Sequence, residues 1–399
     1  MLTFLTVIKQ EMSAWGGGRN RLPGVKDMRA QKPIEKLDRN LRVAVAEDVS
    51  DLRWYDAGKR PFVIRGLPWF KEGKGAWRRL PPRAEQTVRA PVWSLAHHTA
   101  GARVYFRTDA TTLSLRVHLD ELTNFSHMPR TGVSGFALYE GGTHRWKPWP
   151  VAFPSPRGET SFTRPLISDI PKKMREYMLY FPLYNGVESV EFGMNPEARF
   201  EAPQSLPPGK PVVFYGTSVT QGGCAHNPGA DFPAIIGRAL DLDFVNLGFS
   251  GNGKGEDEVA HLLAELDAGL FVLDYVGNVT VPELKRTLPR VVGILRKQHP
   301  QTPIALVSRV VFSSCHWSAS ALAAHEAQRD VVIAFYAQCR KRGDGNMHFI
   351  DGESLIPYGA QGAYSDNGVH PSNTGFRMMA DAMTPRIERI VFPPAPAQG

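Results

Sequence analysis

Cysteine is scarce in this chain of 399 residues, with Cys224, Cys315 and Cys339 the only three. An odd and sparse count excludes a disulfide-dense scaffold and allows one disulfide at most. No Cys-x-x-Cys spacing offers a structural zinc site. Long apolar runs are also missing. Nothing approaches the ~18 uninterrupted apolar residues of a spanning helix, so no membrane partner is expected. Basic clusters are lacking too. Lys plus Arg number 47 against 39 Asp plus Glu, a net charge of +8, yet no five basic residues stand together. An excess of that size can answer a polyanion, but its dispersal reads as a solvated basic surface, and no nucleic-acid partner is expected. The 37 glycines and 32 prolines are scattered, which excludes a collagen-like chain. The start, Met1 to Ile8, is apolar but runs straight into Lys9. It lacks the basic start, longer apolar core and small-residue cleavage site of a signal peptide. The compartment stays open: few cysteines suit the cytoplasm, and export to a periplasm or beyond is equally allowed. Oligomeric state is equally open.

What is present divides into three parts. Residues 1–50 have weak periodicity and read as an irregular arm. Residues 51–203 carry a β pattern, clearest in the alternation of Leu113-Ser114-Leu115-Arg116-Val117-His118-Leu119, and read as a β-sandwich accessory domain. Trp54, Trp69, Trp93, Trp146 and Trp149 fall here. They either stack on sugar rings or fill the sandwich core, and core filling is the usual use of such side chains. The stretch Gln204 to Gly209 is the expected boundary. Residues 210–393 alternate short apolar strands with helices, which predicts a parallel sheet covered on both faces. In such sheets the site lies at the carboxyl ends of the strands.

The residues that follow those strands carry the chemistry. Gly216-Thr217-Ser218 follows the first, Gly248-Phe249-Ser250-Gly251 the second, and Tyr275-Val276-Gly277-Asn278 the third. Asp366-Asn367-Gly368-Val369-His370 follows the fifth. A hydroxyl, an imidazole and amide donors at one sheet edge are the parts of an acyl-transfer site. Ser218 does not sit in a Gly-x-Ser-x-Gly elbow, because Thr220 holds the last position. The glycines near 248–255 do not complete a dinucleotide fingerprint.

Ser218, Gly251, Asn278 and His370, in that order, resemble the four blocks of the SGNH, or GDSL-type, esterases across residues 210–393. The N-terminal half resembles the subset with a Gly-x-Asp-Leu-Tyr β-sandwich: this chain has Gly135-Phe136-Ala137-Leu138-Tyr139, with Ala137 in place of the Asp. Tyr180 to Gly186 and Gln221-Gly222-Gly223-Cys224 look similar to further segments of that subset. The resemblance implies a flavodoxin-like three-layer α/β/α domain of five parallel strands behind a jelly-roll-like sandwich. It implies ester hydrolysis, with O-acetyl groups on a carbohydrate as the expected substrate and no metal or organic cofactor. Ser218 would be the nucleophile and His370 its base, whose ordinary pKa of about 6.5 suits the exchange. The oxyanion would be held by the N–H of Ser218, the N–H of Gly251 and the amide of Asn278.

The acid member departs from the family pattern. Three residues before His370 stands Asn367, and Asp366 lies four before. Three readings stay open: Asp366 is the acid if a bulge lets it reach the ring; Asn367 or a carbonyl orients His370 instead; or catalysis is weak. His226, His127 and Asp274 are candidate substrate contacts, with surface loop or loop cap as their structural alternative. Cys224 has no His at a telling spacing and reads as a small buried residue. His97 and His98 are read as adjacent strand residues facing opposite ways, unsuited to one metal ion. Two other functions remain open: glycoside cleavage by Asp274 and Asp366, or saccharide binding at a decayed site.

Overall fold

The computed structural model describes residues 34–38, 40, 42, 49–142, 145–155, 158–365 and 367–393. Most of the expected N-terminal arm, and Asp366, lie outside them. The described part of the first 43 residues contains one short helix, Ile34–Leu37. Residues 44–399 form a single compact unit.

Its first half is antiparallel β. Strands β1 (Arg53–Asp56), β4 (Leu113–Leu119), β7 (Ser161–Ile167) and β9 (Val187–Met194) form one sheet in the order β1-β9-β4-β7. Strands β2 (Val63–Arg65), β3 (Arg103–Thr108), β5 (Phe136–Gly141), β6 (Lys147–Ala152), β8 (Arg175–Tyr180) and β10 (Phe200–Glu201) form the other. Its order is β10-β3-β8-β5-β6, with β2 paired to β3. Alternation sends one face of each strand inward. Phe62, Phe106 and Phe192 meet there with ring centroids 4.6–5.4 Å apart. Such tilted and edge contacts add to their burial. The five tryptophans divide among several places. Trp69 is buried and Trp149 packs on the sandwich core, while Trp54 lies under the Arg116 guanidinium at 3.8 Å. Ala137 is buried, opposite Val151 of β6 and Tyr180 of β8.

The second half is a five-stranded parallel sheet in the order β12-β11-β13-β14-β15. The strands are β11 (Val212–Gly216), β12 (Phe244–Gly248), β13 (Leu270–Asp274), β14 (Ile304–Val307) and β15 (Met347–Ile350). Every residue of β11, β12 and β13 is buried, as continuous apolar strands with two covered faces require. Val212 and Phe214 face the helices Phe232–Leu240 and Asn373–Val391. Val213 and Tyr215 face Val281–Gln298. The helix starts are set locally: the side chains of Asp231, Thr280, Ser318 and Ser372 each accept a first-turn N–H. Among the described residues no helix is long and apolar enough to cross a membrane.

The structure differs from the β reading of residues 51–203 in three helical segments, Pro82–Gln86, Ala90–Ala96 and Arg130–Val133, of which the second matters most. Ala90–Ala96 is a helix, and Leu80, Val88, Val92 and Ala96 pack with Val213, Val245 and Leu247 of the parallel sheet. A seven-residue apolar run carries no period long enough to separate helix from strand. His97 therefore caps a helix rather than lying on a strand, which corrects the basis on which the pair was assessed.

Arg79 joins this segment to the sheet. It is 0% exposed. Its guanidinium donates to the carbonyls of His98 (2.8 Å), Leu95 (2.6 Å), Asn246 (3.3 Å) and Gly248. Burial pulls its pKa down to about 9, still high enough to keep it charged at neutral pH. Arg79→Met should cost about 3–5 kcal/mol in urea unfolding, because four carbonyls lose a charged donor. Arg79→Lys should recover less than half of that, since an ammonium lacks the planar fork.

Candidate active site

The carboxyl edge of the parallel sheet gathers the site. Ser218 opens the short helix Ser218–Gln221 directly after β11, with Thr217 Oγ1 accepting the Val219 N–H at 3.2 Å. His370 lies just before the last helix, in a turn held by Asn367. Its Nε2 is 2.7 Å from Ser218 Oγ. Ser218 is 9% exposed, at the wall of a cavity of about 260 Å³. Gly251, Asn278, Asp274, Arg309, Phe312 and His370 share that wall.

The loop after β12 closes onto the serine turn. A Cβ at Gly253 would stand 2.0 Å from the Gly216 carbonyl, so only glycine allows the approach. Gly251 has φ +66°, a left-handed conformation that glycine adopts without penalty. Asn278 donates to the carbonyls of Phe249 (3.4 Å) and Gly253 (3.2 Å), long contacts that hold its amide against the same loop. Gln221, 0% exposed, ties the loop from behind. Its Oε1 accepts the Ser250 N–H at 3.0 Å, and its amide nitrogen donates to Leu183 O at 3.0 Å and His98 Nδ1 at 3.1 Å. Burial and the nearby Arg79 charge push the His98 pKa down to about 3, so it stays neutral and can accept that bond.

His370 Nδ1 is met by Asn367, whose amide nitrogen lies 2.8 Å away. The other end of the amide is already used. Asn367 Oδ1 accepts the N–H groups of Val369 (2.9 Å) and His370 (3.0 Å) and the Ser365 hydroxyl (3.0 Å). A carbonyl oxygen takes those donors and an NH₂ cannot, so the amide N–H faces the ring. Nδ1 is thus an acceptor and the proton of the neutral imidazole sits on Nε2. Asp366 falls outside the described residues.

The other sequence candidates lie at different distances from this centre. Asp274 lines the cavity and accepts from Thr220 Oγ1 at 2.8 Å; burial raises its pKa to about 7. His127 is exposed, with its ring centroid 6.3 Å from that of His370. His226 is exposed, and its backbone N–H donates to Asn373 Oδ1 at 2.9 Å; it does not line the cavity. None of the five tryptophans lines it either. One side chain, Arg309, escaped the sequence reading, while Cys224 is buried as that reading expected. Arg309 follows β14 as Ser218 follows β11, so the same inspection of strand ends points to it. Cys224, at φ +71°, brings its sulfur within 4.8 Å of donor atoms on both His127 and His370. Among the described residues this is the one such trio able to ligate a metal. An ion there would compete for a ring whose two nitrogens are both engaged.

Residues 209–388 match the GDSL-like Lipase/Acylhydrolase family. Residues 52–200 match the N-terminus of SGNH-hydrolase-type esterases, the Gly-x-Asp-Leu-Tyr domain. Among solved structures, a protein named as a GDSL-like lipase from Bacteroides ovatus shares 26% identity at a TM-score of 0.79, covering 85% of this chain and 98% of that one. The salicylyl-acyltransferase SsfX3 of a tetracycline biosynthetic pathway shares 21% at 0.72, covering 87% and 99%. An active-site mutant of a family two carbohydrate esterase from Clostridium thermocellum shares 15% at 0.57, covering 83% and 98%. Among curated proteins none matches. Fold and matches together define the class: the chain belongs to the SGNH/GDSL-type hydrolases, enzymes that cleave acyl esters. Within them the match over residues 52–200 places it in the subset that carries the Gly-x-Asp-Leu-Tyr sandwich ahead of the hydrolase sheet.

Burial, and then the charge of His127, hold the His370 pKa below the ordinary histidine value. The ring should therefore titrate below pH ~6.5 in an NMR titration of labelled protein. His127→Ala removes the repulsion and should move that midpoint upward. A downward move would contradict the charge argument.

Proposed function

We propose that the chain is a serine esterase acting on short acyl esters, with O-acetyl groups on carbohydrate as the foremost substrate. Ser218 attacks the carbonyl, His370 takes its proton and returns it to the leaving alcohol, and the oxyanion is held by the N–H groups of Ser218 and Gly251 and the Asn278 amide. The 2.7 Å contact between Ser218 Oγ and His370 Nε2 at the cavity wall carries this reading. A cavity of about 260 Å³ suits a small acyl group. The carbohydrate part rests on the sequence resemblance, and the fold shared with a carbohydrate esterase is compatible with it.

In this reading Asn367 sets the rate. A base at Nε2 needs the ring proton on Nδ1, where Asn367 now donates. Turning the amide would offer Oδ1 to Nδ1–H, but it gives up two backbone N–H bonds. Both bonds lie at an exposed turn, so giving up each costs about 0.5–1.5 kcal/mol. An amide also fails to stabilise the imidazolium as a carboxylate would; in a serine-protease triad that exchange lowers kcat about 10⁴-fold.

Hydrolysis of para-nitrophenyl acetate, butyrate and octanoate tests the reading. Ser218→Ala should lower kcat at least ~10³-fold, and acetate should be preferred. Labelling of Ser218 by an organophosphonate should accompany activity. Activity that survives Ser218→Ala but is lost in Asp274→Asn would transfer the chemistry to the carboxylates.

Asn367→Asp should raise kcat by ~10²-fold or more, and Asp366→Ala should change it less than about threefold. The reverse ranking would make Asp366 the acid.

A further inference from the structure

Arg309 stands at the cavity that holds Ser218 and His370, without a counter-charge among the described residues. It follows β14, and its side chain crosses the turn that carries Asn278: a Cβ at Gly277 would meet Arg309 Cγ and Cδ at 3.6 Å. Its guanidinium lies over the Phe312 ring at 4.7 Å. Nε donates to His325 Nδ1 at 3.4 Å, and Nη2 approaches Cys315 Sγ at 3.8 Å. Nη1 takes no protein acceptor and is not sealed from solvent.

The neighbouring acids are committed elsewhere. His325 is fully buried, and its pKa is pushed down by burial and by Arg309 itself, so it is neutral. With Nδ1 accepting from Arg309, its proton is on Nε2 and points to Glu353 Oε1 at 3.3 Å. Glu353 and Asp351 both pair with Arg329. Asp274 lines the same cavity, but its pKa is raised, the opposite of what a paired guanidinium does. Among the described residues no carboxylate forms an ion pair with Arg309. A half-buried guanidinium left this way keeps its charge and a planar fork matched to a carboxylate.

We propose that Arg309 is an anion subsite of the catalytic cavity, and that the ester this enzyme takes bears a carboxylate close to its scissile carbonyl. The proposal rests on the Ser218–His370 reading of the site. The carboxylate belongs to the acyl group, as in a half-ester of a dicarboxylic acid, or to the alcohol, as in an O-acetylated uronate. The recognition is the same in both, and no step beyond ester hydrolysis is added.

The test compares kcat/KM for para-nitrophenyl hemiglutarate with that for its neutral methyl ester, and acetate release from acetylated polygalacturonate with that from acetylated neutral xylan. Wild type, Arg309→Lys and Arg309→Gln are assayed in low and high salt. In one of the two pairs wild type should favour the anionic substrate at least tenfold. That ratio should fall at least tenfold in Arg309→Gln, be partly kept in Arg309→Lys, and shrink with salt. The pair that responds tells which side of the ester carries the charge. Ratios near one in both pairs, unmoved by Arg309→Gln, would overturn the proposal. Calorimetry with glutarate and galacturonate needs no turnover and separates the two failures. If wild type cleaves no ester yet binds one of these anions, and Arg309→Gln weakens that binding at least fivefold, the anion subsite stands and the catalytic reading falls. Binding of neither anion by wild type would overturn the subsite.

Discussion

The Arg79 guanidinium is the constraint on which the arrangement depends. Two carbonyls at the end of β12, one at the end of the helix Ala90–Ala96 and one at His98 converge on it. The ends of a strand and a helix leave carbonyls without partners, and burying them without a donor is costly. One charged, planar fork satisfies them together and thereby locks the segment between β2 and β3 onto the edge of the parallel sheet. The loop that carries Gly251 begins where that lock ends. Gln221 repeats the device one layer in, with both ends of its amide used to hold Ser250 against Leu183 and His98. The β-rich half thus helps to build the site by fixing the backbone on which the Gly251 loop stands.

Within that frame the site is an arrangement of charges that burial has unbalanced. His370 is held towards its neutral form, Asp274 is raised to about 7, and Arg309 has no ion pair with a carboxylate among the described residues. Asn367 adds a further imbalance, since its amide presents a donor to the nitrogen that a triad acid would serve as acceptor. Desolvation underlies the His370 and Asp274 shifts, and perturbed groups gathered at one cavity are the pattern expected of a functional site. The structural pairs lie elsewhere, as between Arg329 and Asp351 or between Arg296 and Asp344.

Much of this was legible in the chain. Continuous apolar strands such as Leu270–Asp274 have one solution, a sheet covered on both faces, and their ends must carry the site. Short-range chemistry therefore determined the parallel sheet, the capped helix starts and the meeting of Ser218 with His370 across more than 150 positions. The alternation of Leu113–Leu119 determined a sandwich strand in the same way. What only the tertiary structure decided involves groups whose role is set by what surrounds them. Ala90–Ala96 is too short for its period to choose between helix and strand, and packing against Val245 and Leu247 made the choice. Which end of the Asn367 amide faces His370 depends on two backbone N–H groups whose direction is known only once the turn is closed. That Arg309 pairs with no carboxylate among the described residues is a property of distances that only the fold sets. A sequence records which charges exist, and only folding brings some together and leaves others alone.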